Sequence, residues 1–142
     1  KVRGHRVLLT HGSPASDKEH LYPDTPEDRL RELAQMTKKT DIIIVGHSHQ
    51  PFVRQVDDVW FINTGSVGRP DDGDPRACYA ILRFQGKEFT VQHHRVEYDV
   101  ERTVAAVQEH NLPETFAQMF LQGHNLDYFL PGVGDEEETE EE

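Results

Sequence analysis

The chain has 142 residues and a formal charge of −11, length enough for about one domain, and its 15 basic residues are scattered and outnumbered by 26 acidic ones, which excludes a nucleic-acid footprint. The longest apolar run, Ile42-Ile-Ile-Val45, is far too short to cross a bilayer, and the first residues carry no signal-peptide pattern. The single cysteine, Cys78, excludes an internal disulfide and fits a reducing cytoplasm.

Arg6-Val-Leu-Leu-Thr10 is a short apolar run that ends on His11-Gly12, and it predicts a buried strand whose end delivers a histidine into a loop. A polar loop follows to Pro23. Thr25-Pro26-Glu27-Asp28 then predicts a helix start, with Thr25 as the N-cap, Pro26 at the first helical position and acids in the first turn. Leu30, Leu33 and Ala34 share one face, and Lys38-Lys39 suit the helix dipole at the other end. Asp41 opens a second strand, Ile42 to Val45, which again ends on Gly-His. This strand–helix–strand order predicts two parallel strands, because a crossover helix permits parallel pairing. Both strands then end on one edge of the sheet, the edge where open α/β sheets bind ligands.

Phe52–Val56, Asp57-Asp58 and Val59–Ile62 predict a hairpin, with Trp60 on the same face as Ile62 and read as core. Asn63 to Pro75 is rich in turn formers and predicts a long loop. Ala77–Phe84, a turn near Gln85-Gly86, and Glu88–Val96 predict a second hairpin, with Cys78 as a core residue. Asp99 is the expected cap of a helix presenting Val100, Val104 and Val107. A last helix starts near Pro113, carries Phe116, Met119 and Phe120, and stops at Gly123. Residues 131–142 contain seven acids in Asp135–Glu142; without those seven the net charge is −4, and the run reads as a solvated, disordered tail.

Histidine stands out, with nine in the chain, but only spacing gives it meaning. Gly46-His47-Ser48-His49 follows the second strand directly, and Gly46 is expected to let the backbone turn sharply there. Two histidines two apart can point to neighbouring metals or share one, and imidazole suits Mn, Fe, Zn and Ni. With His11 at the end of the first strand, the βαβ reading places all three on one sheet edge, and they are the candidate metal ligands. Arg69, in the glycine-rich loop, is a candidate for a substrate phosphate; the alternative is a solvent-facing arginine or a partner of Asp71, Asp72 or Asp74. Those three aspartates read as turn chemistry. His93 and His94 point to opposite faces of a strand and cannot form one site together. His5, His20, His110 and His124 show no partner pattern and read as surface or packing residues.

Val7-Leu-Leu-Thr-His-Gly-Ser-Pro14, Ile44-Val-Gly-His-Ser-His-Gln-Pro-Phe52 and Ile62-Asn-Thr-Gly-Ser-Val-Gly-Arg-Pro70 resemble the last blocks of the calcineurin-like metallophosphoesterases, most of all the small bacterial and archaeal phosphodiesterases. The match runs from about Arg6 to about Gly123. The resemblance implies an α/β fold, the C-terminal part of a β-sandwich flanked by helices, over residues 1–130. It implies His11 and His47 on one metal and His49 on the other, with Mn as the expected ion and Zn, Fe or Ni as alternatives. The substrate expected is a small phosphate ester, a monoester or a diester.

The Asp-x-His, Gly-Asp and Gly-Asn-His blocks that precede these in the family do not stand ahead of them in this sequence. The bridging carboxylate, the Asn ligand and the histidine that protonates the leaving group belong to them. The chain is therefore expected to act as the histidine half of a two-metal site. Its expected partner is a missing N-terminal half or another copy of the chain, and the isolated chain is expected to be inactive. The alternative reading is a catalytically degenerate scaffold for protein interaction.

Overall fold

The computed structural model describes residues 1–130; the expectation of a disordered acidic tail over 131–142 lies outside them. The elements are β1 (Val7–Leu9), α1 (Glu27–Met36), β2 (Ile42–Val45), β3 (Phe52–Val56), β4 (Val59–Asn63), β5 (Ala77–Gln85), β6 (Glu88–Val96), α2 (Val100–Glu109), α3 (Glu114–Gln122) and α4 (Leu126–Phe129). The architecture is mixed α/β, with a four-stranded sheet in the order β1-β2-β4-β3 and a separate β5–β6 hairpin.

β1 and β2 pair in parallel, Val7 opposite Ile42 and Leu9 opposite Ile44, as the strand–helix–strand pattern predicts. β2 pairs in parallel with β4, and β3 returns antiparallel to β4. This register sets Asn63, the last residue of β4, beside Val45, the last of β2. The side-chain alternation of strands separates two faces. Ile43, Val45, Phe52, Val56 and Phe61 form one core with Leu30 and Leu33 of α1 and Leu21 of the preceding loop. Full burial of such side chains contributes about 1.5–3 kcal/mol each.

The other face meets the β5–β6 hairpin. Trp60 stands edge-on to Phe89 with ring centroids 5.3 Å apart, a core role rather than a substrate platform. Cys78 is buried, and burial raises its thiol pKa, which suits packing and not nucleophilic chemistry. It sits so close under Gly65 that a Cβ there would fall 2.7 Å from its sulfur.

The helix ends differ from expectation in two places. α1 begins at Glu27 with Pro26 as its N-cap, while the Thr25 hydroxyl accepts from the Tyr22 N–H at 2.7 Å and closes the turn before the helix. At the other end the Thr37 hydroxyl donates to the Ala34 carbonyl and the helix stops at Met36, so Lys38 and Lys39 lie beyond its last turn. A local hydroxyl bond competes with another helical turn, and here it wins. Asp99 caps α2 through the Arg102 N–H, and Gly123 ends α3 in the left-handed region at φ 67°, both as expected. The short α4 was not foreseen.

Candidate metal centre

Because β1 and β2 run parallel, the loops leaving them start from one sheet edge. His11 follows β1 and His47 follows β2, and their ring centroids are 4.6 Å apart. The loops are tied at that point by the Gly46 N–H, which donates to the His11 carbonyl at 2.9 Å. His47 Nε2 lies 3.2 Å from the Lys18 carbonyl. A carbonyl brings no proton, so Nε2 is the donor and Nδ1 keeps the lone pair of the neutral ring. That leaves Nδ1 as the nitrogen with a lone pair to offer.

The turn itself corrects an expectation. Gly46 does not take the unusual conformation; His47 and His49 do, with φ of 63° and 58°. A left-handed conformation costs a non-glycine residue about 1–2 kcal/mol, so something must hold these two. Asn63 does much of this. Its side-chain Nδ2 donates to the Gly46 carbonyl at 2.8 Å and to the Ser48 hydroxyl at 2.9 Å, while its Oδ1 accepts from the Gly65 N–H. The Ser48 hydroxyl in turn donates to the Leu21 carbonyl at 2.6 Å, and the Asp71 N–H donates to the His49 carbonyl. Asn63 and Ser48 are buried, and in a low-dielectric setting a satisfied network of this kind rigidifies the backbone it holds.

His49 is half-buried, and its Nδ1 is buried with no hydrogen-bond partner among the described residues. Burial pushes its pKa below the usual imidazole value, and the Arg69 guanidinium adds to the effect. A lower pKa favours the neutral imidazole, the form able to bind a metal.

Sequence reasoning passed over His20. Its ring stacks on His47 with centroids 3.9 Å apart, and on Tyr22 at an interplanar angle of 6°. Burial lowers its pKa, with the His47 charge second. No spacing pattern announces it, since a loop of ordinary polar residues carries it back to the edge.

A cleft of about 410 Å³ opens here, with His20, Tyr22, His47, Arg69, Asp71 and Asp127 among its walls. The three nearby aspartates are engaged elsewhere. Asp71 accepts from the Asn125 N–H at 2.7 Å; Asp72 pairs with Arg95; Asp74 pairs with Arg76 at 2.6 Å, which holds its carboxyl down at about 2. The Arg69 guanidinium has no hydrogen bond or ion pair among the described residues, so it is not their partner. His94 stacks on Tyr79, while His93 bonds the Asn63 carbonyl at 2.7 Å and supports the network from below.

His11 and His47 stand together, whereas His49, with its unengaged Nδ1, is not among the walls of the cleft. Among the described residues, no three His, Cys, Asp or Glu side chains form a group able to hold an ion by themselves.

Comparison with known proteins agrees on one family. The calcineurin-like phosphoesterase superfamily domain matches residues 1–87. An uncharacterised protein of Methanocaldococcus jannaschii is 32% identical over 139 residues, covering 86% of this chain and 54% of its own length. The phosphodiesterase YfcE of Escherichia coli is 36% identical over 77 residues, covering 54% of this chain and 34% of its own. The crystal structure of a metallophosphoesterase from Sphaerobacter thermophilus superposes with a TM-score of 0.68 at 29% identity, over 84% of this chain and 55% of that one. The chain thus spans about half the length, or less, of the relatives it matches.

Proposed function

The chain belongs to the calcineurin-like phosphoesterase superfamily, and on that footing we propose that the parent protein hydrolyses a phosphomonoester or phosphodiester at a two-metal site, this chain supplying the histidine half. The single observation that carries the reading is the His11–His47 pair, delivered by two parallel strands to one sheet edge with ring centroids 4.6 Å apart. His11 and His47 would share one ion and His49 would serve the second. Mn²⁺ is the expected metal, with Zn, Fe or Ni as alternatives. The bridging and remaining ligands would come from a preceding half of the protein or from another copy of the chain.

Two such ions supply a clamp on the phosphate, a hydroxide nucleophile and stabilisation of both oxygens of an in-line displacement. This chain's residues have separate tasks. Arg69, whose guanidinium has no partner among the described residues, would offer its fork to a phosphate oxygen and orient the ester. The Asn63–Ser48 network holds His47 and His49 in place before the metal arrives, which limits the ordering cost of binding. The Lys18 carbonyl fixes the tautomer of His47, an outer contact of the kind that tunes ligand basicity.

The second reading, a degenerate scaffold, is favoured by the lack of a three-donor group among the described residues. Mn²⁺-dependent hydrolysis of an aryl phosphodiester separates the two. The parent protein is expected to turn over and the isolated chain to show little or no activity. His47→Ala in the parent should lose about a hundredfold or more, since a Lewis-acid ion contributes several kcal/mol and each 1.36 kcal/mol is tenfold. A parent inactive with every metal tested would leave the scaffold reading in possession.

A further inference from the structure

We infer that the phosphate ester accepted at this site carries an apolar substituent, and that this substituent lies in the groove between α2 and α3. The inference rests on the phosphoester reading above and adds the class of substrate to it.

The groove holds about 480 Å³, within the range of roughly 300–1,000 Å³ typical of small-molecule sites. Val107, Leu112, Phe116, Met119 and Phe120 supply its apolar walls. Beneath it, Val104, Val107 and Ala117 are packed as a small core, so the groove is the outer surface of an ordered helix pair. Leu112 is 49% exposed, and Phe116 and Phe120 are half-buried. Contiguous exposed apolar surface often marks an interaction or ligand-binding site.

Its position decides the occupant. Arg69 lines both this groove and the histidine cleft. An arginine can serve both at once, because its methylene stem suits an apolar wall and its guanidinium a phosphate oxygen. The helix pair is also stitched to the loop that carries Arg69. The Gly73 N–H donates to the Gly123 carbonyl at 2.9 Å, and the Asn125 N–H donates to Asp71 at 2.7 Å. A Cβ on Gly123 would come within 2.7 Å of the Asp74 backbone, so the end of α3 lies flush against this loop. The cleft and groove are therefore held at a fixed offset, polar on one side of Arg69 and apolar on the other. A ligand with a phosphate at one end and an alkyl or aryl group at the other matches both, and it would engage a guanidinium that has no partner among the described residues.

The test is calorimetric titration of the parent protein, with Mn²⁺ present, using ethyl, butyl, hexyl and octyl phosphate below their aggregation limits. A fully buried methylene is worth about fourfold in affinity, and an open groove covers roughly half of it, so affinity should rise about twofold per methylene. The rise should flatten in Ala106→Glu, which puts a charge at an exposed groove position with little loss of helix propensity. Arg69→Ala should weaken all four ligands alike. Equal affinities for ethyl and octyl phosphate would overturn the inference and leave the phosphoester reading standing. So would a length dependence that Ala106→Glu does not alter. Failure of every member to bind, ethyl phosphate included, would overturn both. A flat series joined to concentration-dependent dimerisation that Ala106→Glu abolishes would assign the groove to a second copy of the chain and overturn the inference.

Discussion

The two loops that leave β1 and β2 do the same job by different physics. The loop after β1 brings His11 to the edge through close backbone packing. A Cβ on Gly12 would lie 2.5 Å from the Ser16 carbonyl oxygen and 2.6 Å from that of Asp17, so only glycine fits. The loop after β2 has no such constraint at its glycine, where a Cβ would meet nothing nearer than the His11 oxygen at 3.7 Å. Its shape comes instead from two left-handed histidines clamped by neutral hydrogen bonds. The first loop is fixed by steric fit and a charged lock, the second by strain held against a buried amide. Strain of this sort clusters at functional sites because the surrounding structure must over-determine it.

The largest expected effect comes from cutting the clamp. Asn63→Leu keeps the number of side-chain heavy atoms but removes three hydrogen bonds and leaves the part-buried Gly65 N–H without its partner, while the Gly46 carbonyl keeps the Ser48 N–H and the Ser48 hydroxyl keeps the Leu21 carbonyl. The unsatisfied N–H costs about 1–3 kcal/mol and each of the other two lost hydrogen bonds about 1 kcal/mol, so a loss of about 4 kcal/mol is expected in denaturant unfolding. Amide resonances of His47 and His49 should shift well beyond those of Gly12 and Ser13. A stability within 1 kcal/mol of the native chain would mean that the turn holds itself.

A smaller and sharper contrast lies in the glycines. Gly12→Ala should cost about 2 kcal/mol, the range of overpacking against a backbone that must shift. Gly46→Ala should be near neutral, since φ is not positive there and the space is open. Equal losses at the two positions, read from melting temperatures, would erase the distinction between the loops.

The contrast also marks what the sequence can tell. β1, α1, β2 and both hairpins follow from periodicity, a local property, and the Gly-His endings place His11 and His47 side by side once the strands are parallel. Arg69 was readable as a candidate from its loop, though its freedom from Asp71, Asp72 and Asp74 needed coordinates. Asn63 looked like a turn former, and its clamp arises only from its register beside Val45. His20 reaches His47 by the path of a polar loop, which has no period to read. Gly46 misled for a similar reason: a glycine beside a turn suggests that it supplies the turn, and here the histidines do. What stayed hidden was tertiary, set by partners distant in sequence.

The smallest expected effect separates the loops by pH. Glu19 joins the His11 loop to α1: it accepts from the Ser13 hydroxyl and from Arg29 at 2.8 Å, and Arg29 first, then Ser13, holds its pKa below the ordinary 4.5. The folded value being the lower one, the stabilisation is present above the unfolded pKa and is lost as pH falls below about 4.5 toward the folded value. The partner Arg29 is 37% exposed, so screening limits the contribution to about 1 kcal/mol or less. The clamp on the other loop is made of amide, hydroxyl and carbonyl groups that do not titrate in this range. Lowering the pH from 6 to 3 should therefore raise amide exchange at Ala15 and Ser16, whose N–H groups bond the Ser13 hydroxyl, before it raises exchange at Ser48. In Glu19→Gln that pH dependence should vanish, with the Ser13 loop already loosened at pH 6. Simultaneous loosening of both loops on acidification would show that they open as one unit, and that their different chemistry has no separate consequence.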